Sequence, residues 1–519
     1  MAQYRIDTNE MLSNNKTIYE VVQVGTGPQG NVVSQANPFP VTAAGAGSSA
    51  FGETLSAEHT CVVQLDALYG IGGEQADQFQ TYTANGGVAT TENNMFKVSS
   101  SANTYSYGVV RSKRFLRYRP GQGAVGRFAA KFDTPTALTT QRAGLFNQED
   151  ALMVGYDGTD FGVLYAHDGL AHIHQFLITA GPSASTNATI TLNGTAFTVP
   201  LVSGETVYQT AARISRFDFG SAWIAEQRDD RVVFLSTATN PLAGAFSFSH
   251  ATATATLTVR QSGVAVTEEW IAQADWNGPG KSVVWDPSKF NVYQIQYRWL
   301  GAGVIRFSAE HPDTGEIVLL HSIHHVNRNT TLHLGNPSMK IGYVSYNLGG
   351  GAKTVYGGSM MMAVEGTITR NDFPRAAHAD KTGLAKDLNH HLLTVENPTT
   401  REGKINTKEL ILQDLVVSSQ CSDPAKISLY LNEELLTGVH DLRTRPKTIA
   451  MVSLATGTFA NTATSITPVI AYTLGINGTL QFDLTPYRLI VPAGGKVSVA
   501  ISASQSISRA ICALTWLAD

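Results

Sequence analysis

Apolar and polar residues alternate along most of this chain in short runs. The clearest are Phe115-Leu-Arg-Tyr-Arg-Pro-Gly-Gln-Gly-Ala-Val-Gly-Arg127 and Phe290-Asn-Val-Tyr-Gln-Ile-Gln-Tyr-Arg-Trp-Leu300. A period of two places alternate side chains on opposite faces of a strand, so each run predicts a half-buried strand. The same pattern recurs at Thr60–Leu65, Phe96–Val98, Ser106–Val110, Gly126–Phe132 and Ala151–Tyr156. Clusters of Gly, Asn, Asp and Ser separate these runs, as in antiparallel sandwiches. Asp157-Gly-Thr-Asp160 between two apolar runs predicts a hairpin, and so does Asn193-Gly194.

The pattern divides the chain. Residues 1–50 hold one candidate strand, Thr17–Val24, among prolines and glycines, and read as an extended anchoring arm. Residues 51–175 and 269–370 carry the strand pattern of a large β-sandwich. Residues 176–268 interrupt it with a small α+β unit, best placed as an insertion in a loop of that sandwich. This unit holds the one helical pattern, from Glu205 to about Phe217, where Val207, Ala211 and Ile214 form an apolar stripe. Ser203 or Gly204 is the expected cap. Residues 371–407 lose the strand period and read as a linker, with a short helix near Gly383–His391. Residues 408–519 return to short strands, a second sandwich ending in Lys496–Ser502 and Ala510–Trp516. The predicted fold class is mainly β: multi-domain antiparallel β-sandwiches of jelly-roll or concanavalin-like type with a small α+β insertion.

Composition narrows the partners. The chain has 519 residues, 43 % hydrophobic and only 15 % charged, with a net charge of −4. Soluble proteins average about 25 % charged residues. A surface rich in Ser, Thr, Asn, Gln and Gly suits an assembly protein covered by neighbours. An acidic balance argues against direct binding of nucleic acid, and no apolar run is long enough to cross a membrane. The first residues lack the apolar run of a secretory signal, which predicts synthesis and retention in the cytoplasm until assembly. Cys61, Cys421 and Cys512 are too few and too scattered for a disulfide framework and are expected as buried free thiols.

His172 and His174 share a strand face, and His321, His324, His325 and His333 crowd another segment. Two such imidazoles and a third ligand suit zinc. No carboxylate or Cys stands at a ligand spacing, so polar strand faces or subunit contacts are the expectation, and no metal or cofactor is assigned. Asp157 and Asp160 read as hairpin residues rather than half a calcium site. Asp229-Asp230 and Glu268-Glu269 face opposite ways on strands and make poor glycosidase pairs. Gly349-Gly-Gly-Ala-Lys-Thr354 lacks both glycines of a phosphate-cradling loop and reads as a hairpin loop. No catalytic residue is assigned, and no enzymatic activity is expected. The dense basic run contains Arg111, Lys113, Arg114, Arg117 and Arg119. Arg111, Lys113, Arg117 and Arg119 fall on one strand face and are the candidate partner-contact residues, toward an acidic patch on a neighbour or an anionic glycan. A solvated or internally paired face is the alternative.

Several strings together resemble a type of virion structural protein of tailed bacteriophages. They are Asn37-Pro-Phe-Pro-Val-Thr, Phe51-Gly-Glu-Thr-Leu, Leu116-Arg-Tyr-Arg-Pro-Gly-Gln-Gly, Asn291-Val-Tyr-Gln-Ile, Gly335-Asn-Pro-Ser and Val364-Glu-Gly. They span roughly 37–366, in order. The resemblance implies a non-catalytic component of the virion, assembled in the host cytoplasm. A tail fibre or baseplate appendage is favoured over a head decoration or head fibre. It further implies other virion proteins as partners and a homo-oligomer, with a trimer favoured. Recognition of host-surface carbohydrate, through exposed-candidate aromatics such as Tyr487 and Trp516, is the second reading. A capsule depolymerase ranks third, for want of an acid pair and of long β-helix repeats.

Overall fold

The computed structural model describes residues 59–72, 78–220, 222–368, 373–401, 404–438, 440–445, 447–460 and 467–519. The predicted arm at 1–50 and the strings at 37–42 and 51–55 lie outside them. The described residues belong to one compact unit, Ala57–Asp519. Among them the fold is mainly β, in antiparallel sheets.

Two sheets form the large sandwich. One has eight strands and is centred on Ala124–Phe132, which pairs with Asn291–Tyr297 on one side and Thr354–Glu365 on the other. The facing sheet has seven strands, with Lys340–Asn347 between Thr139–Phe146 and Ser106–Ser112. The core between them is aromatic: Phe96, Phe128, Phe132, Trp276, Tyr293 and Tyr343 are fully buried. Buried phenols need acceptors, and Tyr343 donates to Ala129 O at 3.0 Å and Tyr297 to Pro337 O at 2.6 Å. Gly357 lies under the Tyr343 ring, where any Cβ would overlap it.

The chain leaves this sandwich between two paired strands. Thr267–Ala272 pairs directly with Asp160–His167, and the bridge Leu170–Val264 closes the exit. Everything between folds around its own core of Phe176, Ile190, Ile214, Phe219, Val232 and Phe234. The hairpin at Asn193-Gly194 joins Asn187–Leu192 to Thr195–Pro200, with both turn residues at positive φ. The helix runs Val207–Ser215 and buries Ala211 and Ile214. Its cap is Thr206, not Ser203 or Gly204. The Thr206 hydroxyl accepts from Gln209 N, and the Gln209 side chain returns the bond to Thr206 N, a capping box. Glu205 stands before the cap and pairs with Arg213.

The C-terminal sandwich starts earlier than its sequence suggests. Arg375–Leu384 and Asn389–Glu396, read above as linker, are strands of its two sheets, paired with Ile507–Ala518 and Lys496–Ala503. In Arg375–Leu384 the inward residues include Ala377 and Ala379. Alanine carries too little apolar surface to announce a strand.

Two further expectations change. Only Ala124–Arg127 of the run Phe115–Arg127 is strand; Lys113–Gly123 is a loop, with one β-bridge, Leu116–Met339, among its described contacts. Cys61 is exposed, while Cys421 and Cys512 are buried. A bulge between Cys61 and Val63 breaks the alternation that buries Val63 and Leu65.

Candidate functional site: a seam of ion pairs and a basic cleft

The loop Lys113–Gly123 is where the modules meet. Arg117 Nη1 reaches Asp519 Oδ1 at 3.0 Å, and Arg119 Nη2 reaches Asp519 Oδ2 at 2.6 Å. Both reach the same carboxylate, but from a loop and not from the strand face expected. Arg114 makes a bidentate pair with Glu409, both contacts at 2.8 Å, and also donates to Val62 O. Arg111 turns elsewhere, to Gln80 Oε1 and the Tyr82 hydroxyl. Lys113 donates its backbone N–H to Gln78 O. Arg117 and Arg119 thus tie the large sandwich to the C-terminal sandwich of the same chain.

Three of the strings that carry the phage resemblance meet at this place, while Asn291-Val-Tyr-Gln-Ile lies in the strand paired with Gly126–Ala130. Leu116 and Met339 exchange backbone hydrogen bonds, and Tyr118 N donates to Ser338 Oγ. Gln122 Nε2 donates to Glu365 O and Thr367 O, and Glu365 N donates to Gly123 O. Asp150, buried, accepts from Gly335 N at 3.0 Å and Asn336 N at 2.6 Å. Burial pushes its carboxyl up to about 6 and that of the neighbouring Glu149 to about 7. The strings at 116–123, 335–338 and 364–366 therefore form one hydrogen-bonded joint.

A second seam holds the inserted module to the C-terminal sandwich. The hydroxyl of Thr399 and the N–H of Thr400 donate to the buried Glu226, and Arg228 donates to Thr400 Oγ1. Asp229 accepts from Thr444 N and Oγ1 at 2.8 and 2.6 Å. Arg443 stacks over Tyr208, its guanidinium 4.3 Å from the ring centre. The short hairpin Thr400–Arg401 with Lys404–Ile405 also packs Ile405 against Ile173, Val233 and Leu235. Where the three modules converge, a cavity of about 50 Å³ is lined by Arg111, Lys340, Ile224, Leu235 and Ile405. Lys340 is buried there, bonded to Gln80 and set over the Phe115 ring. Burial, then Arg111 and Lys113, hold its ammonium well below the usual lysine range.

The same hairpin forms a wall of a cleft of about 620 Å³. Five cationic side chains line it: Arg375, Arg401, Lys404, Lys408 and Lys447. No carboxylate stands among its described lining residues. Phe373, 77 % exposed, stands at it. Lys447 sits at φ +61, a left-handed conformation that only local context holds in a non-glycine residue. Sequence reading missed this cleft because its residues come from four separate segments. The one local hint is the charge density of 401–408 and 443–447.

The other candidates have structural partners. His174 stacks on Phe246 with ring centres 4.1 Å apart, and burial lowers its imidazole to about 4. No group of three His, Cys, Asp or Glu suited to a metal occurs among the described residues. Glu268 pairs with Arg142, and Glu269 contacts His167. In the Gly349–Thr354 loop, Asn347 Oδ1 accepts from Gly349 N and Gly351 N; the loop is not the hairpin expected, because it joins Lys340–Asn347 of the seven-stranded sheet to Thr354–Glu365 of the eight-stranded one. Trp516 is 1 % exposed and belongs to the C-terminal core, so it is no ligand-facing aromatic; Tyr487 is 53 % exposed.

No protein-family model matches the chain, and no curated protein matches it. Solved structures with partial likeness include the cellulose-induced protein Cip1, at 10% identity and TM-score 0.24, over 58% of this chain and 96% of that one. Lectin I-B4 from Griffonia simplicifolia, in metal-free form, gives 14% identity and TM-score 0.23 over 58% and 99%. The carbohydrate recognition domain of Emp46p gives 9% and 0.22 over 57% and 91%.

Proposed function

We propose that the chain is a structural component of a tailed-phage virion, a tail-associated fibre or baseplate protein. In this reading its N-terminal segment anchors it and its β-sandwich domains oligomerise, with a trimer as the expected state. One observation carries the reading. Three of the four described strings on which the resemblance rests, at 116–123, 335–338 and 364–366, fold into a joint that locks one sandwich and receives Asp519 of the other, while the fourth, at 291–295, is an inner strand of the large sandwich. Residues of that joint hold modules together, which is what a load-transmitting particle component requires. Mass spectrometry of purified tails and heads, analysed separately, tests it: the chain is expected in the tail fraction. Its absence from both fractions would overturn the proposal, and its presence in heads alone would move it to a head decoration or head fibre. Deleting residues 1–45 should leave a folded protein that no longer incorporates.

A second reading, recognition of host-surface glycan, is favoured by the basic cleft, a concave polar site on an otherwise acidic chain. A glycan array without hits would remove it.

A further inference from the structure

We infer that the side chains of Lys340 and Gln80 join in an amide bond, which the folded chain forms on itself with loss of ammonia. The inference goes beyond the functions proposed above and depends on neither of them.

Sheet register brings the two groups together. Gln80 lies opposite Arg111, and Arg111 lies opposite Gly342. Lys340 is two residues from Gly342, so Gln80, Arg111 and Lys340 share one face of three neighbouring strands. Lys340 Nζ donates to Gln80 Oε1 at 2.7 Å, and Arg111 Nε donates to the same oxygen at 3.2 Å. Two donors on one atom identify it as the carbonyl oxygen and not the amide nitrogen. The carbon bonded to that oxygen is the one an amine attacks. Lys340 is only 4 % exposed and lies over the Phe115 ring. Burial, then the charge of Arg111, favours its neutral amine, whose lone pair is the nucleophile.

The chemistry closes without a further reagent. The Lys340 nitrogen adds to Gln80 Cδ, and negative charge gathers on Oε1. The Arg111 guanidinium meets that charge, and its Nη2 is held by the Tyr82 hydroxyl. The added nitrogen passes a proton to the amide nitrogen, the old C–N bond breaks, and ammonia leaves. Amine plus primary amide becomes secondary amide plus ammonia, with no electron transfer. The cavity of about 50 Å³ lined by Gln80, Tyr82, Arg111 and Lys340 has room for the departing molecule. Holding amine and amide in contact gives an effective concentration on the order of 10⁵ M or more, which a free lysine and glutamine lack. The product ties the edge strand Phe79–Ala84 to Lys340–Asn347, across Ser106–Ser112. An edge strand has one neighbour and opens first, so a covalent tie adds most there.

The test is intact mass spectrometry of the full chain after denaturation, followed by tandem spectra of its tryptic peptides. The wild-type chain is expected about 17 Da below its sequence mass, the loss of one ammonia. The peptide spanning Gln80 should be attached to one left uncleaved at Lys340. Asn85-Gly86, Asn193-Gly194 and Asn477-Gly478 can shed ammonia by cyclising, so the deficit must also vanish in Lys340→Met and in Gln80→Leu. Arg111→Met should leave a mixture of linked and unlinked chains. Melting curves accompany the variants, while the linked peptide is read from the wild-type chain and needs no folded variant. Three results would overturn the inference: a wild-type chain at its full sequence mass, a deficit that persists in Lys340→Met or Gln80→Leu, or a digest without the linked peptide.

Discussion

Asp519 is held by two guanidinium groups, and most of its side chain is shielded from water. Removing its charge leaves Arg117 and Arg119 facing a neutral amide. Loss of one partner in a shielded pair costs more than the pair is worth, because the remaining charge stays desolvated. Asp519→Asn should therefore lower stability by about 2 kcal/mol, discounted from a fully buried pair because Arg117 is partly exposed. Urea unfolding measures this, and an unchanged midpoint would contradict the seam. Thr206→Ala should cost about 1 kcal/mol by losing the helix cap, while Thr206→Ser should keep most of it. Both residues illustrate what sequence reading can reach. The basic run was visible, but its strand reading does not describe the loop that carries Arg117 and Arg119. Their partner lies 400 residues or more away along the chain, beyond any local pattern.

Elements were legible where their signal is local. The Asp157–Asp160 and Asn193-Gly194 reversals and the apolar helix stripe need only neighbouring residues to form, and they appear where the pattern puts them. Arg375–Leu384 escaped because two of its three buried positions are alanine, Ala377 and Ala379, and it pairs with a single strand, Ile507–Ala518. Lys113–Gly123 deceived in the other direction. It alternates like a strand, but Pro120 lacks an N–H, and the side chains of the loop serve the joint. Tightness between elements is equally invisible in sequence. Gly357 looks like any strand glycine, yet the Tyr343 ring occupies the space of its missing side chain. Gly357→Ala should destabilise the large sandwich by about 3 kcal/mol, the upper range for overpacking. A thermal melt matching wild type would show that the strand moves aside.

At the scale of the whole molecule, buried titratable groups give stability two opposed dependences on pH. Glu149 is raised by burial to about 7. Its neutral form suits the fold, so its contribution is full below the ordinary glutamate range and is lost as pH rises through about 7. His391 is lowered by burial to about 4, so its contribution is present above the ordinary histidine range and is lost as pH falls through about 4. Between these limits the two partly cancel. Glu149→Gln should separate them: its stability relative to wild type should climb with pH from about 4.5 through 7, by up to about 3 kcal/mol, and then level off. Urea titrations at three pH values read this directly, and a pH-independent difference would exclude Glu149 as the titrating group. The assembly of modules is also a whole-molecule property. Glu226, Asp229 and Arg228 bind the inserted module to the C-terminal sandwich through single side chains that carry no motif.

By itself the sequence determined the β class, the helix and the reversals at Asp157–Asp160 and Asn193-Gly194. Those features follow from side-chain period and turn chemistry, which act over a few residues. Tertiary structure alone decided the early start of the second sandwich, the partners of the basic run and the convergence of Arg375, Arg401, Lys404, Lys408 and Lys447 on one cleft. Desolvation and charge pairing depend on distance in space, and a chain folded into sheets brings together residues whose separation in sequence bears no relation to it.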